Sequence, residues 1–166
     1  MDGLPEPMGD DLHSVRLAED FLGYAFQDVR LARCALTSPG WCHEHPSAGW
    51  ATWVALEWQG DAVLYLVLTE QFVAEGAAMT TGRATRQRDV LKSNAVLAER
   101  AVDALWPALF LGVGERDNNA RDGWGAYVSN SLEALLGAVW FDEVRRGEDP
   151  LPAVRRIIRE TLGLAR

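Results

Sequence analysis

Two long apolar segments, each carrying isolated carboxylates, constrain this chain more than any other feature. From Leu56 to Leu68 the only charges are Glu57 and Asp61, and from Tyr127 to Phe141 the only charge is Glu133. Carboxylates are rarely buried unless they are paired or bound to a metal. Two helices of this kind facing each other would create a site for a divalent cation. Divalent cations on carboxylates are the usual machinery for making or breaking phosphodiesters.

Helical spacing brings the polar groups together. Glu57 and Asp61 are four residues apart and share one helix face, and Asn130 and Glu133 do the same three apart. Gly60 and Gly137 lie about a turn from the acids. A glycine in mid-helix costs about 1 kcal/mol relative to alanine. Its presence in both segments therefore predicts that the two helices approach closely.

The rest of the chain also reads as helix. Residues 1–11 hold Pro5, Pro7 and several acids without periodicity, and are expected to form a flexible acidic tail before a single domain over 12–166. Leu17, Phe21 and Leu22 form one apolar face that Gly23 ends, and Phe26, Leu31, Cys34 and Leu36 form a second. Ser38-Pro39-Gly40 predicts a break, followed by a loop over Trp41–Trp50. Ala51–Ala74 should be a long helix through the domain centre. Thr80 and Thr81 precede a further helix through Leu97 and Ala101, and a short one follows around Ala104–Leu111. Gly112–Gly125 reads as a polar loop, Val128–Val144 as the second acid-bearing helix, and Pro152–Leu164 as an amphipathic terminal helix with Ile157, Ile158 and Leu162 on one face. With no alternating strand pattern of useful length, the expected class is all-α.

With 166 residues, 48% of them hydrophobic, the chain is long enough for a core that needs no disulfide or structural metal. Cys34 and Cys42 occur without an apolar leader, which predicts a reducing cytoplasm, and no apolar run is long enough to span a bilayer. The net charge of -8 argues against wholesale electrostatic binding to nucleic acid, so any grip on RNA or DNA must be local or assisted by metal ions. Lys92 is the only lysine, a bias that genome composition explains as well as function does.

These motifs resemble the ribonuclease III endonuclease domain. Leu22-Gly23-Tyr24-Ala25-Phe26 with Leu36-Thr37 looks like the family's opening helices, and Leu56-Glu57-Trp58-Gln59-Gly60-Asp61-Ala62-Val63 like its signature. Thr85, Arg88, Asn94 and Leu97 fit the segment that follows, and Leu111-Gly112-Val113-Gly114-Glu115 and Ser131–Asp142 complete the pattern. The resemblance implies an all-α domain that works as a homodimer and hydrolyses double-stranded or structured RNA with magnesium, or manganese, leaving short 3′ overhangs. It would make Glu57, Asp61 and Glu133 catalytic metal ligands, with Asn130 at the fourth ligand position.

The chain departs from that pattern in several places. Asn130 keeps a carbonyl oxygen for a cation but removes a full negative charge. Val54 and Ala55 stand where the family usually has another polar, acidic residue, and the 38–50 loop is unlike the family's usual run. The expectation is of a domain without an appended double-stranded-RNA-binding domain, which would hold RNA with its own surface or through a separate partner. Arg83, Arg86, Arg88 and Lys92 form a basic stretch that could meet phosphates or serve as a solvated face. Two other readings weigh against a metal site. Glu57 and Asp61 could be paired with Arg86 or Arg88, and Asn130 could be a helix N-cap. Glu75 is an outer acid or a solvated helix-end charge. Cys42, His43 and His45 have ligand chemistry but no second cluster, which favours a loop without metal. Of the tryptophans, Trp41, Trp50, Trp53, Trp58, Trp106, Trp124 and Trp140, those near the signature could line a dimer interface. The competing function is a degenerate member that keeps the fold as an RNA-binding, structural or accessory protein.

Overall fold

The computed structural model describes residues 3–74, 80–122 and 125–165. Among them the chain forms nine α-helices and no strand. Helix α1 is Asp10–Leu22, α2 Val29–Ala35, α3 Pro39–Glu44, α4 Val54–Ala74, α5 Thr81–Leu91, α6 Asn94–Leu105, α7 Val113–Asp122, α8 Gly125–Arg146 and α9 Pro150–Arg156. The all-α expectation is met. Paired extended backbone is limited, in the described residues, to a single bridge between Thr37 and Phe110.

The centre of the domain is α8, not the α4 helix that sequence reading put there. Helix α8 is buried almost continuously from Val128 to Val139, whereas α4 buries Leu56, Val63, Leu64, Val67 and Leu68 and leaves Val54, Trp58, Tyr65, Leu66 and Val73 exposed. Helix α4 packs along α8 in the most extensive helix pair, and α6, α2 and α9 also pack against α8. Ser131 ties it to α2 by donating its hydroxyl to the Ala35 carbonyl at 2.9 Å. Asp142, also on α8, accepts from the Tyr24 hydroxyl at 2.8 Å and from the backbone N–H groups of Gln27 and Asp28, both at 2.9 Å. Asp142 thereby anchors the α1–α2 connection, helped by Glu143, which also stands 2.7 Å from the Tyr24 hydroxyl, and by Glu19, which accepts the Phe26 N–H at 2.8 Å.

Several boundaries differ from those read in the sequence. Helix α1 starts at Asp10 rather than Leu12, and the acidic stretch before it touches the domain where Leu4 packs on the core and Pro7 is buried. Gly23 ends α1 with φ 59°, a left-handed conformation that glycine adopts at no steric cost. Ser38-Pro39 does not break the chain but starts α3: the Ser38 hydroxyl accepts the Trp41 N–H, and Pro39 sits at the first helical position, where its missing N–H is not needed. The expected loop at Trp41–Trp50 is thus mostly α3 and a 3-10 turn over Pro46–Ala48.

The single helix expected after Thr80 is two, because Ser93 caps a new helix by accepting the Val96 N–H. The short helix expected around Ala104–Leu111 is the end of α6 and a 3-10 turn, Trp106–Ala108. The stretch read as a polar loop is largely α7, whose first N–H, at Val113, is capped by the Glu44 carboxylate at 2.9 Å. Glu115 on the same helix accepts from the Ser38 hydroxyl and from the N–H groups of Gly40 (3.0 Å) and Gly112 (2.8 Å), locking α7 to α3. The terminal helix is split into α9 and a π-helical turn, Ile157–Thr161, with Ile157, Ile158 and Leu162 buried as expected.

Candidate active site

The crossing of α4 and α8 makes the site. A Cβ on Gly60 would stand 1.7 Å from the Glu133 carbonyl oxygen, and one on Gly137 would stand 2.1 Å from the Leu56 carbonyl oxygen. Only glycine at both positions lets the two backbones touch, as the sequence predicted. This contact sets Glu57 and Asp61 of α4 against Glu133 of α8, whose side chain is aimed back toward the helix N-terminus as helical geometry requires.

The three carboxylates sense one another. Glu133 is 7% exposed and accepts no hydrogen bond from the described residues. Burial, and then the negative charges of Asp61 and Glu57, push its carboxyl up to about 7, with Lys92 acting in the opposite direction. Glu57 is raised as well, first by burial and then by Asp61. Asp61 accepts from the Lys92 ammonium at 2.5 Å.

Asn130 is half-buried in the interior of α8, five residues past Gly125, which excludes the N-cap reading. It shares the α8 face of Glu133.

By its chemistry this donor set fits a hard divalent cation. It offers carboxylate and amide oxygens, and a nearly buried carboxylate that no donor among the described residues serves. In the conformation seen, with Asp61 drawn to Lys92, no three His, Cys, Asp or Glu side chains among the described residues stand close enough together to hold an ion.

The basic stretch on α5 is divided. Arg83 and Arg86 are exposed. Arg88 turns inward, stacking its guanidinium 3.8 Å from the Tyr65 ring centroid with its Nε buried and unbonded, and Lys92 reaches the acids. Neither Arg86 nor Arg88 is the counter-ion of the α4 acids, so the arginine-paired reading does not hold. Sequence reasoning placed Lys92 with the phosphate-facing arginines, and the only signal for its different role is that it is the sole lysine.

Cys42, His43 and His45 do not form a ligand cluster. The His45 ring stacks on Trp41 at 4.4 Å, Cys42 donates to the Trp50 carbonyl, and both cysteines are free thiols. Glu75 and Trp124 lie outside the described residues.

An apolar surface borders the site on α4. Trp58 is 84% exposed and lines, with Ala51, Thr52, Val54 and Ala55, an open groove of about 490 Å³, while Trp53 is buried in the core. A second concavity of about 520 Å³, between the C-terminal half of α4, α5 and residues 163–165, contains none of the acids.

Residues 54–143, from the start of α4 to the anchoring end of α8, match the family model of the ribonuclease III domain. The chain belongs to the ribonuclease III domain family. It is 37% identical over 125 residues to Ribonuclease 3 of Oleidesulfovibrio alaskensis, covering 75% of this chain and 54% of that protein. It is 32% identical over 152 residues to Ribonuclease 3 of Heliobacterium modesticaldum, covering 91% of this chain and 61% of that protein. The chain therefore spans between half and two thirds of the length of these relatives. Among solved structures, a nuclease domain of ribonuclease III from Campylobacter jejuni superposes with a TM-score of 0.72 at 25% identity, covering 89% of this chain and 97% of that one. That structure concerns flexibility in a region involved in dimer formation. Among the described residues of this ribonuclease III domain, no helix is long and apolar enough to cross a membrane.

Proposed function

We propose that this chain is an endoribonuclease of the ribonuclease III type that hydrolyses phosphodiesters in double-stranded or structured RNA, as a homodimer, in the cytoplasm. The observation that carries this reading is the cluster at the α4–α8 crossing, where Glu133 is nearly buried beside Glu57 and Asp61 without a hydrogen-bond donor among the described residues. Such a carboxylate calls for a cation, and Glu57, Asp61 and Glu133 would hold magnesium or manganese, with the Asn130 carbonyl oxygen as a weaker fourth ligand. Bound there, the ion supplies Lewis acidity toward the phosphate and an activated water.

The chain's own groups do the rest. Exposed Arg83 and Arg86 meet phosphates along the duplex, fixing its register without reading sequence. Trp58 and Val54 offer an apolar, aromatic surface of the kind enriched at interfaces, and a second copy of this chain is the partner proposed for it, a reading that family membership supports.

A second reading is favoured by one specific observation. The Lys92–Asp61 pair, together with the amide at Asn130, weakens the negative charge of the site, as expected of a domain that keeps the fold to bind RNA or to support another protein without cutting. The two readings separate in one experiment, incubation of long double-stranded RNA with the native chain, Glu133→Ala and Asn130→Asp in magnesium or manganese. Cleavage by the native chain that Glu133→Ala abolishes supports the nuclease. A silent native chain with activity appearing in Asn130→Asp supports the second reading.

A further inference from the structure

Lys92 is the only lysine in the chain, and every other cationic side chain is arginine apart from the histidines. It stands at the C-terminal cap of α5, its backbone N–H bonded to the Arg88 carbonyl, which fixes where its side chain leaves the helix. From there the ammonium passes the Tyr65 ring at 5.8 Å and reaches Asp61 at 2.5 Å, on the face of α4 that meets Glu133.

An ammonium is a compact point charge, closer to a metal ion in shape than the flat, forked guanidinium that the chain uses elsewhere. The charge count is equally specific. Glu57, Asp61 and Glu133 carry three negative charges when ionised, Asn130 adds none, and Lys92 leaves a net of two, the charge one divalent cation balances.

We propose that Lys92 is a resident cation of the α4–α8 carboxylate cluster, neutralising Asp61 and leaving the cluster set to take a single divalent ion on its Glu57 and Glu133 side. The assignment rests on the proposed function in taking a divalent cation as the ligand of these acids, but it does not depend on RNA being cut. An ordinary salt bridge between α4 and α5 would give the same contact, so the test must read cation uptake rather than stability alone.

The experiment counts bound manganese by electron paramagnetic resonance of the free ion, on the native chain, Lys92→Gln and Lys92→Arg, with RNA cleavage assayed in parallel. The native chain is expected to bind one ion. Lys92→Gln is expected to bind roughly tenfold more tightly or to take up a second ion, because a neighbouring positive charge has gone. Lys92→Arg, which keeps the charge, should retain the native count. Manganese uptake by Lys92→Gln equal to native in number and affinity overturns the proposal, whatever happens to stability. So does a native chain that binds no ion or two. One ion, sensitive to Lys92, in a chain that cuts no RNA leaves the lysine assignment standing and removes the nuclease reading. Cleavage with uptake insensitive to Lys92 does the reverse.

Discussion

Replacing Glu133 by glutamine should make the domain more stable, and only at a pH where the carboxylate is ionised. Glutamine keeps the shape of the side chain and removes the charge. Glu133 accepts no hydrogen bond from the described residues, so the exchange breaks no such contact in the cation-free protein. Its carboxyl is raised from 4.5 to about 7, by burial first and by Asp61 and Glu57 second. Below about pH 4 the group is protonated in both the folded and the unfolded chain, and its burial carries no ionic penalty. As the pH rises, the unfolded chain ionises first while the folded chain still holds the proton, so stability is lost progressively until about pH 7 and the penalty is complete above it. At about 1.4 kcal/mol per pH unit the ceiling is about 3.5 kcal/mol. Water reaches part of the cluster, so about 2 kcal/mol is the expected size.

The assay is urea denaturation of the native chain and Glu133→Gln in a chelator, from about pH 4 to about pH 8. The two curves should coincide at the acid end and separate by about 2 kcal/mol in favour of glutamine at the alkaline end. A constant offset across the range, or a less stable glutamine variant at about pH 8, would show that Glu133 is not a charge held against its will, and the argument for a cation at this site would go with it.

Other consequences follow from the same contacts. Gly60→Ala or Gly137→Ala drives a methyl group into the backbone of the facing helix and should cost about 3 kcal/mol in thermal or chemical denaturation, despite alanine's better helix propensity. Asp142→Ala strips the Gln27 and Asp28 N–H groups of their acceptor, while the Tyr24 hydroxyl keeps Glu143, and should cost about 3 kcal/mol, with amide exchange accelerated first over the α1–α2 connection. Trp58→Glu should leave circular dichroism unchanged and convert a dimer to monomer in sedimentation, since the side chain is exposed in the single chain. An unchanged dimer would move the interface off this part of α4.

What the sequence showed and what it concealed have physical causes. The acid spacing and the two glycines are local patterns, and both translate directly into the α4–α8 crossing. The starts of α3 and α6 are also encoded, in Ser38-Pro39 and in Ser93, but the first reads as a break because the apolar stripe of α3 is short, and the second is read through because apolar residues continue on both sides of it. Helix α7 was not legible, because it is polar and its start is held by Glu44, a residue distant in sequence that only the fold brings near. The same holds for Lys92: a basic residue at a helix end reads as solvated until the neighbouring helix supplies a carboxylate. Arg33 is the converse case, a charge that no pattern would bury. It is enclosed because Asp11 and Thr37 bond it and the Phe110 ring lies 3.3 Å away.

The most direct test of the whole account is cleavage of a long, end-labelled double-stranded RNA by the purified native chain, with magnesium and then with chelator at the same ionic strength. Internal cuts that require magnesium are the expected result. Intact RNA after prolonged incubation with folded protein and magnesium would contradict it.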